Sequence, residues 1–164
     1  MIFVTVGSNE HQFNRLLEEI DKLAGSSKLN DKIIAQIGNS TYIPKNIEYF
    51  KFKPYNEIEK IVEESRIIIS HAGAGSIMLA LEKNKPLIVV PRMKKYGEHI
   101  NDHQIEITRE LEKQKKLIGV YDISKLESAI YMSRKIKKIN RDLKKTKIID
   151  ILNEYIKKWG LLND

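Results

Sequence analysis

The sequence alternates short apolar runs with amphipathic helical runs. Six runs rich in isoleucine and valine are candidate strands, at residues 2–6, 33–37, 47–52, 67–70, 87–90 and 116–120. Several of them are apolar throughout, which is typical of strands that are covered on both faces. Between the first two runs, apolar residues recur at helical spacing from Phe13 to Leu23, and Gly25 ends the pattern. This alternation predicts an α/β fold, in which a Rossmann-like parallel sheet is flanked by helices.

Further features of the sequence bound the fold and the location of the protein. Ser124 with Glu127 predicts a capping box, and residues 98–113 and 145–159 show helical periodicity. The chain contains no cysteine, which excludes disulfides, thiolate metal sites and cysteine nucleophiles. It begins with a strand-like run rather than a secretory signal and has no membrane-spanning apolar run, so we expect a cytoplasmic protein.

The net charge of +7 is concentrated near the end of the sequence. Residues 132–147 carry eight basic residues and one acidic residue, which accounts for the whole excess. Such a run suits an anionic membrane surface, an acidic partner or a nucleic acid, and it can equally be a solvated helix face. No aromatic residues interleave with these charges, which disfavours nucleic acid. We expect a Rossmann-like domain at residues 1–130, followed by a basic helical tail at 131–164 that belongs to the same domain or faces a partner or a membrane.

Ligands of parallel sheets bind at the carboxyl ends of the strands, where loops lead into helices. Three such loops contain unusual residues: the first loop (residues 6–13), the glycine loop (residues 70–76) and the third loop (residues 91–104). These loops are therefore the candidate functional segments.

The glycine loop, Ser70-His-Ala-Gly-Ala-Gly-Ser76, precedes a predicted helix that begins at Ile77. Small residues let a ligand approach the backbone, and the amides at a helix start attract phosphate. Ser76 can cap the helix or donate to a phosphate oxygen. The loop lacks the Lys-Ser/Thr pair of a Walker A loop and the dinucleotide pattern G-x-G-x-x-G. The alternative is a turn whose small residues serve only tight packing.

The third loop is polar where a helix is expected to begin. His99, Asp102 and His103 are spaced so that they would share one helix face. A metal site at this face is disfavoured, because the segment lacks the glutamate of the zinc-protease helix. Asn101, Asp102, His103 and Gln104 together suit the hydroxyls of a sugar. The alternative is that Asn101 and Asp102 merely cap the helix.

The first loop places Gly7 and Ser8 before a helix. His11 is a candidate general base or phosphate contact because the histidine pKa lies near working pH, although an exposed histidine at a helix start often has neither role. The sequence shows no Ser-His-Asp order, HExxH, paired carboxylates or D-x-D triplet, so neither a hydrolase nor a metalloenzyme is favoured.

Taken in order, the three loops resemble a known family. The segments are Val4-Thr-Val-Gly-Ser-x-x-His-Gln-Phe-Asn14, Ser70–Ser76, and Pro91-Arg92 with Gly97-Glu-His-x-Asn-Asp-His-Gln104. They resemble the donor-binding subunit of two-part family 28 glycosyltransferases, over about residues 1–120. The exopolysaccharide subunits of the PssE type, the eukaryotic subunit that adds the second N-acetylglucosamine in the dolichol pathway, and the C-terminal half of MurG have similar patterns.

The resemblance implies a GT-B arrangement in which this chain is the donor-binding half. It also implies inverting transfer, without a metal or cofactor, of a GlcNAc, glucose or galactose type sugar from a UDP-sugar to a lipid-linked saccharide acceptor. A membrane-anchored partner subunit would bind the acceptor and hold the chain at the inner face of the membrane. The alternative is an accessory subunit that stabilises a partner transferase without binding donor; a nucleic-acid-binding role is not expected.

The resemblance also implies individual roles. Ser70 to Ser76 would hold the donor diphosphate at the helix start. Asp102 and Gln104 would contact the donor sugar, the backbone around Phe52-Lys53 would meet the uracil edge, and His11 would be the catalytic base facing the acceptor. Relatives usually carry a ribose-binding glutamate where this sequence has Leu79. The implied substrate-binding residues are Gly7, Ser8, Lys53, Ser70, His71, Ala72, Gly73, Ala74, Gly75, Ser76, Arg92, His99, Asn101, Asp102, His103 and Gln104.

Overall fold

Six parallel strands form a sheet in the computed structural model, which describes residues 1–26, 28–136, 150, 153, 154 and 157. The strands are Ile2–Thr5 (β1), Ile33–Gln36 (β2), Glu48–Phe50 (β3), Ile67–Ser70 (β4), Leu87–Val89 (β5) and Ile118–Gly119 (β6). Each lies within a segment predicted to be a strand. The α-helices are Asn14–Gly25 (α1), Tyr55–Glu64 (α2), Ala74–Glu82 (α3), His103–Lys113 (α4) and Leu126–Arg134 (α5).

The strand order is β3-β2-β1-β4-β5-β6, and every neighbouring pair is parallel. Strands β2 and β3 follow β1 on one side of the sheet, and β4 then pairs with β1 on its other side. The direction of building therefore reverses at β1, which creates the switch point where doubly wound sheets bind their ligands. This order confirms the predicted Rossmann-like sheet.

Helices cover both faces of the sheet, because side chains of a strand alternate between its faces. Ile2 and Val4 of β1 join the apolar cluster beneath α1 and α5, whereas Phe3 joins the cluster beneath α2, α3 and α4. All three side chains have no exposed surface. The apolar character of the predicted strands thus follows from burial on two faces.

Helix α5 begins differently from the prediction. A 3₁₀ turn at Ile123–Lys125 precedes it, and the side chain of Asp122 accepts a hydrogen bond from the Ser124 amide at 3.0 Å. This backbone hydrogen bond lowers the pKa of the Asp122 carboxyl. Asp122 therefore caps the 3₁₀ turn, Lys125 occupies the cap position of α5, and the capping box predicted from Ser124 and Glu127 does not form.

The predicted basic tail begins inside α5. This helix includes residues on both sides of residue 130, and its buried face packs on the sheet through Leu126, Ala129 and Ile130. Most of the basic run and most of the helix predicted at 145–159 lie outside the described residues. The division at residue 130 stays a prediction. Among the helices of the described residues, none is long and apolar enough to cross a bilayer.

Candidate functional site

The three candidate loops leave the sheet side by side. Thr5 pairs with Ser70, and Ser70 pairs with Val89, so β1, β4 and β5 end in one row. Main-chain hydrogen bonds join this row, from the His71 amide to the Thr5 oxygen (3.2 Å) and from the Val90 amide to the Ser70 oxygen (2.9 Å). The switch point of the sheet therefore brings the first, glycine and third loops together.

The glycine loop passes directly into α3. The Ile77 amide donates to the Gly73 oxygen at 3.1 Å, which leaves the amides of Ala74, Gly75 and Ser76 without an acceptor in the helix. Gly75 is exposed, and nothing lies within 4 Å of the place where its Cβ would stand. The helix begins at Ala74 rather than at Ile77, so Gly73, not Ser76, occupies the cap position. This open helix start suits an anion.

His71 is an internal part of the site. A Cβ on Gly7 would lie 2.5 Å from Nε2 of His71, and a Cβ on Gly73 would lie 2.1 Å from it. Gly7 also has a φ of +75°, which favours glycine. Burial, assisted by the charge of Arg92, lowers the pKa of His71 to about 4. The imidazole is therefore neutral at physiological pH and fills the slot that the two glycines leave.

Ser70 and Ala72 also face inward. Ser70 has no exposed surface, and its hydroxyl donates to the His71 carbonyl oxygen at 2.8 Å. The Ala72 amide donates to Oε1 of Gln104 at 3.2 Å. The accessible part of the glycine loop therefore begins at Gly73, which is narrower than the implied diphosphate segment.

The first loop exposes Ser8 and holds His11 in a defined tautomer. Oδ1 of Asn9 accepts two hydrogen bonds from His11, one from its main-chain amide and one from Nδ1 of its ring, each at 2.9 Å. Because an amide oxygen only accepts, Nδ1 of His11 carries a proton, and in the neutral imidazole the lone pair is therefore on Nε2. The His11 ring stacks against His99 with their centroids 6.5 Å apart. This is the tautomer that a general base requires.

Gln104 joins the third loop to the glycine loop. Its Oε1 accepts the amides of Arg92 (3.0 Å) and Ala72 (3.2 Å). Its Nε2 donates no hydrogen bond to the described residues. The oxygen of this amide thus supports the loops, while its nitrogen remains able to donate to a ligand.

The helix predicted at residues 98–113 is shorter in the structure. Helix α4 begins at His103, and Lys94–Tyr96 form a 3₁₀ turn before it. His99 consequently precedes the helix, so the shared helix face predicted for His99, Asp102 and His103 does not form. Within residues 1–26, 28–136 and the short described pieces beyond, no three histidine or acidic side chains are grouped closely enough to hold a metal.

Both residues considered as helix caps bind main-chain amides. Oδ1 of Asn101 accepts a hydrogen bond from the His103 amide at 3.2 Å, and Oδ1 of Asp102 accepts one from the Lys94 amide at 2.8 Å.

Burial, followed by the charge of Arg92, lowers the pKa of His99, whose Nδ1 accepts a hydrogen bond from the Asn101 amide. Asp102 lines a cavity of about 300 Å³ together with Met93, Lys95, Ile105, Arg109 and Tyr121.

Arg92 and a buried ion pair beneath the third loop have partners that the sequence did not indicate. Arg92 has no exposed surface, and its guanidinium donates to main-chain oxygens rather than to the site opening. Nε and Nη2 of Arg15 bind the two carboxylate oxygens of Glu98, each at 2.9 Å. Glu98 belongs to the third-loop motif, but no spacing pattern links it to a residue 83 positions away.

Lys53 lies apart from this cluster. It follows β3, and β2 separates β3 from β1. Its Nζ pairs with Glu57 at 2.5 Å and lies 5.4 Å from the centre of the Phe50 ring. The Gly38 amide donates to the Lys51 oxygen at 3.1 Å, which ties this segment to the end of β2. The backbone near Lys53 therefore borders the site without joining its centre.

A model of the glycosyltransferase family 28 C-terminal domain matches residues 1–155. The chain belongs to glycosyltransferase family 28. This match confirms the resemblance inferred from the three loops, which all lie within the matched residues. The family 28 domain therefore includes the switch point and the open start of α3.

Two curated relatives show the reach of the similarity. Human UDP-N-acetylglucosamine transferase subunit ALG13 is 31% identical over 124 residues, which is 69% of this chain and 10% of that protein. The UDP-N-acetylglucosamine--N-acetylmuramyl-(pentapeptide) pyrophosphoryl-undecaprenol N-acetylglucosamine transferase of Prochlorococcus marinus subsp. pastoris is 30% identical over 152 residues, or 88% of this chain and 40% of that protein. The chain thus spans less than half the length of these relatives.

Two solved structures share the fold. The solution structure of ALG13 has a TM-score of 0.61 at 18% identity, covering 92% of this chain and 94% of that one. The kitacinnamycin glycosyltransferase has a TM-score of 0.62 at 16% identity, covering 94% of this chain and 38% of that one. These likenesses confirm the predicted fold, that of one half of a GT-B glycosyltransferase.

Proposed function

We propose that this family 28 chain is the catalytic, donor-binding part of an inverting, metal-independent glycosyltransferase. It would transfer a sugar from a UDP-sugar to a lipid-linked saccharide. The observation that carries the proposal is the meeting of the glycine loop with the first and third loops at the switch point of the sheet. The printed names of the relatives make UDP-N-acetylglucosamine the first donor to test.

The start of α3 would hold the donor diphosphate. The amides of Ala74, Gly75 and Ser76 lack helical acceptors, and the helix dipole adds positive potential there. As the sugar–phosphate bond breaks, negative charge grows on the UDP leaving group, and fixed N–H groups stabilise it without reorganising. Loss of one such donor in an oxyanion-stabilising site typically lowers kcat by about 10²–10³-fold.

The third loop would recognise the sugar. Nε2 of Gln104 can donate to a sugar hydroxyl, while its oxygen keeps the third and glycine loops in register. Oδ1 of Asp102 accepts a hydrogen bond from the Lys94 amide, so the second carboxylate oxygen can accept a hydrogen bond from a sugar hydroxyl. Asn101, His99 and His103 would stand around these contacts rather than make the main ones.

His11 is the proposed base. Its Nε2 carries the lone pair, because Nδ1 donates to Asn9. In an inverting reaction this nitrogen takes the proton of the acceptor hydroxyl as that hydroxyl attacks the anomeric carbon from the face opposite UDP. The position of His11 in the first loop, beside the glycine loop, is compatible with that approach.

We also propose that a partner subunit completes the enzyme. One Rossmann-like half supplies one wall of a cleft, and the human relative is itself named a subunit of a transferase. A membrane-anchored partner would bind the lipid-linked acceptor and hold this chain at the inner, cytoplasmic face of the membrane. The predicted basic tail would then face that partner or the membrane surface.

A second function, as an accessory subunit without donor binding, is favoured by Leu79. This residue stands where relatives usually carry a ribose-binding glutamate, and its side chain is packed in the apolar cluster beneath α3. Ribose recognition would then need another group.

Ligand-observed NMR of the chain with UDP, UDP-GlcNAc, UDP-glucose, ADP and NAD tests the proposal. We expect uridine-selective binding. Absence of binding, both alone and with the partner, would favour the accessory function, and adenine preference would refute the family-based assignment of donor.

A paired substitution locates the binding site. Gly75→Leu places a side chain at the open helix start, where its Cβ would have no neighbouring atom within 4 Å, so the fold should persist while UDP binding is lost. Lys60→Leu adds the same side chain at an exposed position within α2 and serves as the control. A folded Gly75→Leu variant with full UDP affinity would contradict the role of the glycine loop.

A further inference from the structure

Arg92 makes an unusual set of main-chain contacts. Its side chain has no exposed surface. Nη1 donates to the carbonyl oxygens of His11 (2.9 Å), Gln12 (3.1 Å) and Glu98 (3.1 Å), and Nη2 donates to that of Val6 (2.6 Å). Three of these acceptors lie in the first loop and one lies in the third loop. One guanidinium therefore joins two of the three loops of the site.

The contacts of Glu98 and Phe13 strengthen this junction. The Glu98 carboxylate accepts hydrogen bonds from both the Arg15 guanidinium and the Met93 amide. The Arg92 guanidinium also lies 4.8 Å from the centre of the buried Phe13 ring. The third loop is thus fixed to α1 by a bidentate ion pair and to the first loop by Arg92.

Burial has a cost that these contacts must offset. Desolvation lowers the pKa of Arg92 to about 10, against the opposing effect of Glu98, so the guanidinium stays charged at neutral pH. A buried charge without hydrogen bonds would be strongly unfavourable. The four carbonyl oxygens accept these bonds from Nη1 and Nη2, with the two hydrogens of Nη1 shared among three oxygens, while Nε has no partner among the described residues. A lysine ammonium offers its three donors from one nitrogen, so it cannot take the place of two separate Nη groups.

We propose that Arg92 is a positioning residue of the donor site, whose buried guanidinium holds the first and third loops in the arrangement that presents their polar groups to one ligand. This inference rests on the proposed donor-binding function. Arg92 itself does not touch the ligand. It fixes His11 through that residue's own carbonyl oxygen, and it fixes the start of the segment that contains Asn101 and Asp102 through Glu98.

The unaltered chain provides a first test that is independent of any ligand. The Nη hydrogens of Arg92 should give separate, slowly exchanging NMR signals, because four hydrogen bonds hinder rotation of the group. Arg66 is the internal reference, since its guanidinium is largely exposed and pairs only with Asp31 among the described residues. Averaged Arg92 signals like those of Arg66 would overturn the proposal.

Arg92→Lys, Arg92→Met and the control Arg66→Lys extend the test to the loops. In Arg92→Lys, amides of residues 6–13 and 98–104 should shift and exchange faster while strand amides stay unchanged, and Arg66→Lys should leave both loops unchanged. Unchanged loops in Arg92→Lys would refute the positioning role. If Arg92→Met fails to fold, Arg92→Lys and the signals of the unaltered chain still decide.

Ligand affinity then separates positioning from general stability. Displacement of the third loop should raise the dissociation constant for UDP-GlcNAc by about ten- to a hundredfold, with the constant for UDP changing much less. Arg92→Lys should fall between Arg92→Met and the unaltered chain. Equal changes for both ligands would count against Arg92 as a positioning residue. An unaltered chain that binds neither ligand, alone or with its partner, would instead count against the proposed function, while the NMR signals would still test Arg92.

Discussion

Gly73→Ala tests whether His71 and the glycine loop are packed as tightly as the structure indicates. The backbone of Gly73, with φ −74° and ψ 130°, is open to alanine, so any cost must come from the added methyl group. That methyl would lie 2.1 Å from Nε2 of His71, far inside a normal contact of about 3.5 Å. Gly7 also packs against this ring, because a Cβ at residue 7 would lie 2.5 Å from the same Nε2. We expect a loss of about 1–3 kcal/mol in the free energy of unfolding, the usual cost of overpacking.

Gly75→Ala is the matched control, two residues along the same loop. Its Cβ meets nothing within 4 Å, and it lies in the first turn of α3. Alanine forms helices better than glycine by about 1 kcal/mol at most, so the free energy of unfolding should stay equal or rise slightly.

Urea unfolding followed by circular dichroism measures both changes. With a denaturant slope of about 2 kcal/mol per molar, a 2 kcal/mol loss lowers the midpoint by roughly 1 M. His71→Ala provides the decisive second step, because it empties the slot that the new methyl group needs. Gly73→Ala should then cost much less in the His71→Ala background than in the unaltered chain. Equal effects of Gly73→Ala and Gly75→Ala, or additive costs in the double variant, would refute the packing argument.

Three further predictions concern pH, a buried carboxylate and Gln104. The pKa of His71 is about 4 in the folded chain and 6.5 in its ordinary state, so below pH 6.5 the unfolded chain binds the extra proton. Stability should therefore fall by about 3 kcal/mol as the pH drops from 6.5 to below 4, and His71→Gln should remove this part of the pH dependence of the urea midpoint. Asp21→Asn should lower the free energy of unfolding by about 1–3 kcal/mol, because the buried carboxylate accepts the Tyr42 hydroxyl (2.7 Å) and the Asn46 amide (2.7 Å); Tyr42→Phe should cost less in the same assay. Gln104→Ala should reduce transfer by the complete enzyme more than it reduces UDP affinity in a titration, and equal reductions would argue against a contact with the sugar.

The sheet could be predicted from the sequence because its cause is local. Residues 67–70 are apolar over three consecutive positions, which is typical of a short strand covered on both faces. The loops were located by the same means, since ligand sites in parallel sheets follow the carboxyl ends of strands. Their order in the sequence then sufficed for the family, without knowledge of any side-chain contact.

The supports beneath the loops could not be predicted, because they join residues far apart in the sequence. Arg15 meets Glu98 across 83 positions, and Arg92 reaches Val6 across 86. Local patterns also misplace helix starts where a side chain has two possible partners. Oδ1 of Asp102 accepts the amide hydrogen of Lys94, eight residues earlier in the sequence, and Oδ1 of Asn101 accepts that of His103. Helix α4 therefore begins later than the apolar spacing indicates.

The glycine loop shows why a binding role and a packing role were both compatible with its sequence. Its two glycines have different physical reasons to be small. Gly73 is small because the His71 ring occupies the space of a side chain, whereas Gly75 borders open space that a ligand can enter. Tight packing therefore explains one glycine, and ligand approach would explain the other. Substitutions at residue 73 should act mainly on the stability of the fold, while large substitutions at residue 75 should act on donor affinity alone, so the two roles can be separated within three residues.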